Sequence, residues 1–276
     1  MTATPVASRL GRLLALDMPS AIAHRGGSRL APENTLAAFE QAAALGVDAI
    51  ECDVHLSRDD EVVVIHDATL DRTTDASGPV RARTADELSR VDAGCRFTDE
   101  TGGHPFAGMG IGVPRLADAL ARWPDMPFVI EIKGDDAHAA ERVAAVITAA
   151  GALDRVIIGG FNDVAVRAAR RALDGVPSSA SVTEVKAALR RSFFFQRPRP
   201  TGYQAFQIPR RFHGRRVATR RFVRFARAAG VAVHVWVVDD PADMRRLAEW
   251  GVTGFISDRP DLAVRERADM RAGERE

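Results

Sequence analysis

Short runs of apolar residues alternate with helix-like segments along the whole chain. Most of the runs are β-branched or apolar throughout, as expected of parallel strands that are covered on both faces. Between them, apolar residues at helical spacing predict helices, one of which is capped by Asn34-Thr35 and ends at Gly46. The eight strand-length runs lie at 21–24, 47–54, 128–132, 155–159, 178–182, 204–208, 231–238 and 253–257.

This alternation predicts an α/β fold, a (β/α)8 TIM barrel that forms a single domain over residues 1–276. A doubly wound open sheet fits less well, because no glycine-rich fingerprint follows the first strand. The remaining helices are predicted near 136–150, 162–174, 183–192, 217–229 and 240–249, and a C-terminal helix or tail near 261–276.

Residues 57–127 interrupt the alternation. The stretch "LSRDDEVVVIHD" predicts a hairpin that returns along the second strand, because its few turn-type residues are too short for a crossover helix. A glycine-rich stretch at 101–114 and a helix near 115–123 follow. We expect this range to form an insertion over one mouth of the barrel. Whether 62–66 counts as a barrel strand stays open.

Composition narrows the class of protein. The 276 residues are 46% hydrophobic and 27% charged, which is typical of a soluble globular protein, and no apolar run is long enough to span a membrane. The first residues lack the features of a signal peptide, so we expect a cytoplasmic location. Two cysteines are too few for a disulfide framework, and Cys52 is predicted to be a small core residue.

The net charge of +1 hides an uneven distribution. Thirteen basic residues and no acidic ones lie between Val185 and Val238, so the rest of the chain carries −12. Such a region attracts anions. Peripheral contact of the Arg-rich region, 186–227, with anionic lipid stays open, as does the alternative of a solvated helix face. Nucleic acid is disfavoured because interleaved stacking aromatics are missing. The oligomeric state stays open.

Ionisable residues collect at the predicted carboxyl ends of strands, which face the active-site mouth in a barrel. Residues two apart on a strand point to the same side. Each could be structural, as a hydrogen-bonded histidine or an internal ion pair. Burying the whole set without a function would be costly, however. The set consists of His24, Arg25, Glu51, Asp53, His66, Glu131 and Lys133, and the seventh strand adds His234 and Trp236.

These residue types indicate a reaction. Glu51, Asp53 and Glu131 offer only oxygen ligands, which suits Mg²⁺ or Ca²⁺ better than zinc. The arginine and lysine match a phosphate or carboxylate anion. Two histidines can act as base and acid on opposite sides of a scissile bond. The combination predicts phosphoester cleavage.

Several motifs carry a resemblance to a known family. "HRGG", "APENTLAAFEQAAALGVDAIECDVHLSRDDEVVVIHDATLDRTTDASG", "VIEIK", "VHVWVVDD" and "GVTGFISDRP" occur in this order within residues 22–260. Together they strongly resemble the glycerophosphodiester phosphodiesterase family, in the superfamily of phospholipase C-like phosphodiesterases. The resemblance implies a TIM barrel, one divalent cation, and hydrolysis of glycerophosphodiesters to glycerol 3-phosphate and an alcohol.

The resemblance also implies roles for matching residues. His24 and His66 become the general acid and base, and a glycerol hydroxyl of the substrate becomes the first nucleophile, attacking through a cyclic phosphate. Gly26 and Gly27 are expected to turn the backbone away close to the ligand. The remaining roles are metal binding by Glu51, Asp53 and Glu131, phosphate binding by Arg25 and Lys133, and lining of the glycerol pocket by Trp236.

The chain departs from the usual family pattern at two places. Val237, Val238 and Asp239 follow Trp236 where the family often has Thr-Val-Asn, and Thr253 stands where it often has Asp. We expect both departures at the barrel mouth, near the glycerol pocket, where they affect the choice of headgroup.

Two other functions stay open. A lysophospholipase D, which cleaves single-chain lipids, would need an apolar rim that faces a membrane, and "RRSFFFQRPRP" at 190–200 could form it. Alternatively, these phenylalanines fill the bottom of the barrel. A catalytically silent phosphodiester-binding protein is the other possibility, and the complete set of histidines and carboxylates argues against it.

Overall fold

The computed structural model describes residues 9–134, 137–199 and 201–273. The predicted start of the chain at 1–8 and the last residues of the predicted tail, 274–276, lie outside these ranges. The strands are β1 (Ser20–Ala23), β2 (Ala49–Leu56), β3 (Val62–Val64), β4 (Phe128–Ile132), β5 (Val156–Gly160), β6 (Ala205–Pro209), β7 (Arg211–Phe212), β8 (Arg215–Arg216), β9 (Ala232–Trp236) and β10 (Gly254–Ser257). The helices are α1 (Arg9–Leu14), α2 (Leu36–Leu45), α3 (Ala85–Leu88), α4 (Leu116–Arg122), α5 (Ala137–Ala149), α6 (Asp163–Ala172), α7 (Val182–Phe193), α8 (Arg220–Ala228), α9 (Pro241–Trp250) and α10 (Pro260–Gly273).

The predicted barrel is confirmed. Parallel strands follow one another in the order β5-β4-β2-β1-β10-β9-β6, and the helices surround them. The cap predicted for α2 is present, because the Thr35 side chain accepts a hydrogen bond from the backbone N–H of Ala38. Gly46 ends this helix with a φ of 76°.

The full strand predicted at 178–182 is wrong. Only Ser178 and Ser179 make parallel bridges, one to β5 and one to β6, and these close the gap between the two strands. The chain leaves the sheet early because Ser181 is already the N-cap of α7, in a reciprocal capping box with Glu184. The eighth strand position of the barrel is therefore filled by these two residues.

The hairpin predicted at the start of 57–127 is present. β3 pairs antiparallel with β2, with Val54 opposite Val64, and lies off the parallel path of the barrel. The rest of the range has an apolar cluster of its own, centred on Val63, Leu70 and Leu88. That this range covers one mouth of the barrel, within one domain spanning 1–276, stays a prediction.

The amino end of the barrel is closed by α1. Leu10 and Leu13 pack there against inward-facing residues such as Ile22, and Nε2 of His234 lies 2.9 Å from the Leu13 carbonyl oxygen. Leucines of α1, rather than the phenylalanines at 193–195, therefore fill this end. The carboxyl ends of the strands stay open. None of the described helices combines the length and the apolar character needed to cross a membrane.

Candidate active site

The open end of the barrel contains a cavity of about 310 Å³. Apart from His234, which is buried at the amino end of the barrel beside Leu13, every residue of the predicted set lines it, so the predicted convergence is present in the fold. These residues are His24, Arg25, Glu51, Asp53, His66, Glu131, Lys133 and Trp236. Of the range 57–127, His66 alone is among the lining residues.

A tight turn delivers the first histidine and arginine into this cavity. β1 ends at Ala23, and the next residues adopt left-handed backbone angles, with φ of 52° at Arg25, 84° at Gly26 and 101° at Gly27. A Cβ on Gly26 would lie 2.8 Å from the Ala38 Cβ, and one on Gly27 would lie 2.8 Å from Pro260. The glycines therefore seat the turn against α2 and the start of α10. The expected turn of the backbone at these glycines is present, and the packing gives a second reason for glycine at both positions.

Three carboxylates form one group, which we call the carboxylate cluster: Glu51, Asp53 and Glu131. The alternation along β2 turns the first two into the barrel and Cys52 outward into the core, as predicted. Glu131 stands opposite Asp53 in the register of β2 and β4. One oxygen from each carboxylate lies within 4.8 Å of the others.

Burial and mutual repulsion set the protonation of the carboxylate cluster. Burial, followed by the charge of Asp53, raises the pKa of Glu51 to about 8. The same two causes raise the pKa of Glu131. Burial also acts on Asp53, but the charges of Lys133 and Arg25 outweigh it and lower the pKa of that carboxyl. Adjacent cations therefore stabilise the negative charge of Asp53.

The two cations contact the cluster directly. The Lys133 ammonium forms ion pairs with Glu131 and, at 3.0 Å, with Asp53. The Nε of Arg25 lies 3.1 Å from Asp53, and the Arg25 backbone N–H donates to Glu51 at 2.8 Å. The internal ion pair that the sequence left open is thus present, on side chains that also line the cavity.

Each histidine is oriented by an aspartate. Nδ1 of His24 lies 2.6 Å from Asp258, and Nδ1 of His66 lies 2.7 Å from Asp67. Nε2 is therefore the ring nitrogen left for proton transfer. Burial lowers the pKa of His24, but the hydrogen bond to Asp258 and the charge of Glu51 outweigh it, and the pKa is raised overall.

Sequence reasoning missed the side chains that hold these groups in place. Buried Asn34 donates to the Asp53 carboxylate at 2.9 Å and accepts from its backbone N–H. Glu33 pairs with Arg25 at 2.9 Å and with Arg72. Asp258 itself is held by Ser28 and by a turn around Asp239. The motifs containing these residues were recognised, but their partners are distant in sequence.

One expected position was wrong. Thr253 precedes β10 and is buried, and its hydroxyl bonds to the backbone of Val233 near the start of β9. It therefore lies at the amino end of the barrel, opposite the mouth, and is not among the residues that line the cavity. The error arose because the residue begins a strand, whereas mouth residues end one.

The opposite side of the cavity is mainly apolar, with Lys186 of α7 as a charged exception. Trp236 packs edge-on against Phe161, with ring centroids 6.1 Å apart, beside this surface. We call the surface the apolar wall, and it consists of Ala180, Val182, Val185, Leu189, Ile208, Phe212 and Val217.

Known proteins resemble this chain in sequence and in fold. The model of the glycerophosphoryl diester phosphodiesterase family matches residues 24–262. A glycerophosphodiester phosphodiesterase from Caldanaerobacter subterraneus is 33% identical over 253 residues, which cover 88% of this chain and 95% of that protein. The phosphodiesterase domain of an uncharacterised Mycobacterium tuberculosis protein has a TM-score of 0.80 at 27% identity, covering 91% of this chain and 100% of that one. An Oleispira antarctica phosphodiesterase, solved in complex with the product sn-glycerol-3-phosphate, has a TM-score of 0.75 at 25% identity, covering 91% and 97%.

Proposed function

The chain belongs to the glycerophosphoryl diester phosphodiesterase family, and we propose that it hydrolyses glycerophosphodiesters to glycerol 3-phosphate and an alcohol with one bound Mg²⁺ or Ca²⁺. One observation carries this proposal. Oxygen ligands, two aspartate-held histidines and two cations line a single cavity. Charge stabilisation and proton transfer, the two requirements of phosphoester cleavage, are thus available together.

The residues fit a hard divalent cation. Glu51, Asp53 and Glu131 would hold it, since they offer only carboxylate oxygens and those oxygens lie close together. Burial and then repulsion from Asp53 raise the pKa values of Glu51 and Glu131, and a bound cation would favour the ionised form of both carboxyls. When bound, such an ion supplies Lewis-acid stabilisation of charge on a phosphoryl oxygen.

The protein side chains have separate tasks in the proposed reaction. Arg25 and Lys133 bind the phosphate, and Trp236 lines the glycerol pocket. One of His24 and His66 accepts the proton of the attacking glycerol hydroxyl, and the other donates a proton to the departing alcohol oxygen. Water then opens the cyclic phosphate with the two roles reversed, which restores both histidines to their starting protonation.

The test is the release of glycerol 3-phosphate from glycerophosphocholine and glycerophosphoethanolamine by the purified protein. We expect release from at least one of them, and its loss in His66→Ala with phosphate binding retained. His138→Ala is the matched control, because that ring lies half-exposed on α5 outside the cavity. No release from either substrate, with phosphate still bound, would favour a silent binding protein.

A second candidate is lysophospholipase D activity on single-chain lipids. The apolar wall favours it, because its residues on α7 run from Val182 to Leu189, about 10 Å of helix, and offer apolar surface to an acyl chain. The discriminating assay measures choline release from lysophosphatidylcholine beside glycerophosphocholine. A higher kcat/KM for the lysolipid would make it the preferred substrate.

A further inference from the structure

Three consecutive phenylalanines lie on the surface where α7 ends. Phe193, Phe194 and Phe195 are 65%, 61% and 81% exposed. We call these residues the phenylalanine loop. Single exposed apolar residues are ordinary, but a contiguous aromatic run indicates a surface that something covers.

The loop is held in a defined shape. The Phe194 N–H donates to the carbonyl of Arg190, and the Phe193 carbonyl accepts from the Arg221 guanidinium at 3.2 Å. The same guanidinium lies 4.5 Å from the centre of the Phe195 ring. These contacts tie the loop to the first turn of α8, so the rings are displayed instead of folding back into the core.

Arginines flank the loop in sequence, and one arginine of α8 contacts it. No acidic residue occurs between Val185 and Val238, and basic side chains flank the loop on both sides in the sequence and across α8. An anionic bilayer surface is complementary to this arrangement, since aromatic rings enter the boundary between headgroups and acyl chains while arginines meet lipid phosphates. The flanking residues are Arg190, Arg191, Arg197, Arg199 and Arg221.

An apolar stripe connects the loop to the cavity. Val182, Val185, Leu189 and Phe193 follow one another at intervals of three or four residues, so they share one face of α7. The first three line the cavity, and the fourth is exposed in the loop. A lipid chain leaving the bilayer at the loop therefore has an apolar path toward the histidines.

We propose that the phenylalanine loop and its flanking arginines dock the protein on an anionic lipid bilayer. Three side chains are too few for a specific protein interface, which buries about 800 Å² on each partner. The path toward the cavity gives a lipid surface a use that a protein partner would not have. The use of this path by a lipid substrate rests on the proposed function, whereas the docking does not.

Vesicle sedimentation tests the docking. We expect binding to phosphatidylcholine vesicles that contain phosphatidylglycerol, with weaker binding at high salt and on phosphatidylcholine alone. The triple variant F193S/F194S/F195S should bind about tenfold more weakly. Met109→Ser and Leu153→Ser are controls, because both residues are exposed and apolar elsewhere on the surface, and they should bind as the wild type.

A second variant keeps the test valid if the triple variant folds poorly. Phe194→Trp should give blue-shifted emission on anionic vesicles and be quenched by brominated lipid. Unshifted emission, or no binding to anionic vesicles, would overturn the proposal. So would a dimer that the triple variant abolishes without any vesicle binding, because the loop would then join two copies of the chain. Glu51→Gln should lose turnover and still bind vesicles, which separates docking from catalysis.

Discussion

The two sides of the cavity are built differently. The charged side comes from β1, β2, β3 and β4 and the turns after them. Nearly every functional group on it is held by another side chain, as His24 is by Asp258 and Asp53 by Asn34. The apolar wall comes mainly from α7, β6 and the segment after it, and its side chains have no polar atoms with which to be held. In the proposed reaction, chemistry at the phosphate depends on the first side, and selection of the group attached to the phosphate depends on the second.

Removing a proton-transfer group should break the charged side most severely. His24→Ala is expected to lower kcat by about a thousandfold, because general acid–base catalysis of one step contributes on that order. KM should change little, since Arg25 and Lys133 remain. Steady-state kinetics on the preferred glycerophosphodiester measures both values. An unchanged kcat would remove His24 from the mechanism.

Changing a positioning residue should give a smaller effect with a distinctive pH signature. In the wild type, the hydrogen bond to Asp258 and the negative charge of Asp258 both raise the pKa of His24. Asp258→Asn removes the charge and weakens the hydrogen bond. The pKa of His24 should therefore fall, and the limb of the pH–rate profile that belongs to His24 should move to lower pH. We expect a loss of about tenfold in kcat near neutral pH. A lower rate with an unmoved profile would mean that Asp258 is purely structural.

Trimming the apolar wall should have the smallest effect, and only on some substrates. Leu189→Ala removes apolar surface far from the carboxylate cluster. KM for lysophosphatidylcholine should rise by about tenfold, the scale of a few lost methylene contacts, while kinetics on glycerophosphocholine should be unchanged. Leu153→Ala, at an exposed site outside the cavity, is the control. An equal rise in KM for both substrates would show that the apolar wall and the charged side do not act independently.

The charged side was the more predictable of the two. Alternation along a strand is sufficient to turn Glu51 and Asp53 inward and Cys52 outward, and the end of a strand is sufficient to place His24 at the mouth. The partners were not predictable in this way. Asp258 reaches His24 only because the last strand of the barrel lies beside the first, 234 residues apart in sequence.

The apolar wall was missed for a different reason. Helical spacing in α7 indicates which residues share a face, but not what that face packs against. The same limit left the position of the phenylalanines open between rim and barrel bottom. The strand predicted at 178–182 was wrong because Ser181 caps α7 and Val182 begins that helix. The capping box outweighed the apolar pattern of the segment.

Metal dependence of the charged side is the central claim, and one measurement tests it directly. Glycerol 3-phosphate release from glycerophosphocholine should be followed after EDTA treatment and during re-addition of Mg²⁺ or Ca²⁺, in the wild type and in Asp53→Asn. We predict that chelation abolishes release, that one of the two ions restores it, and that the variant responds poorly to either ion. Release that continues undiminished in EDTA would contradict the assignment of the carboxylate cluster as a metal site.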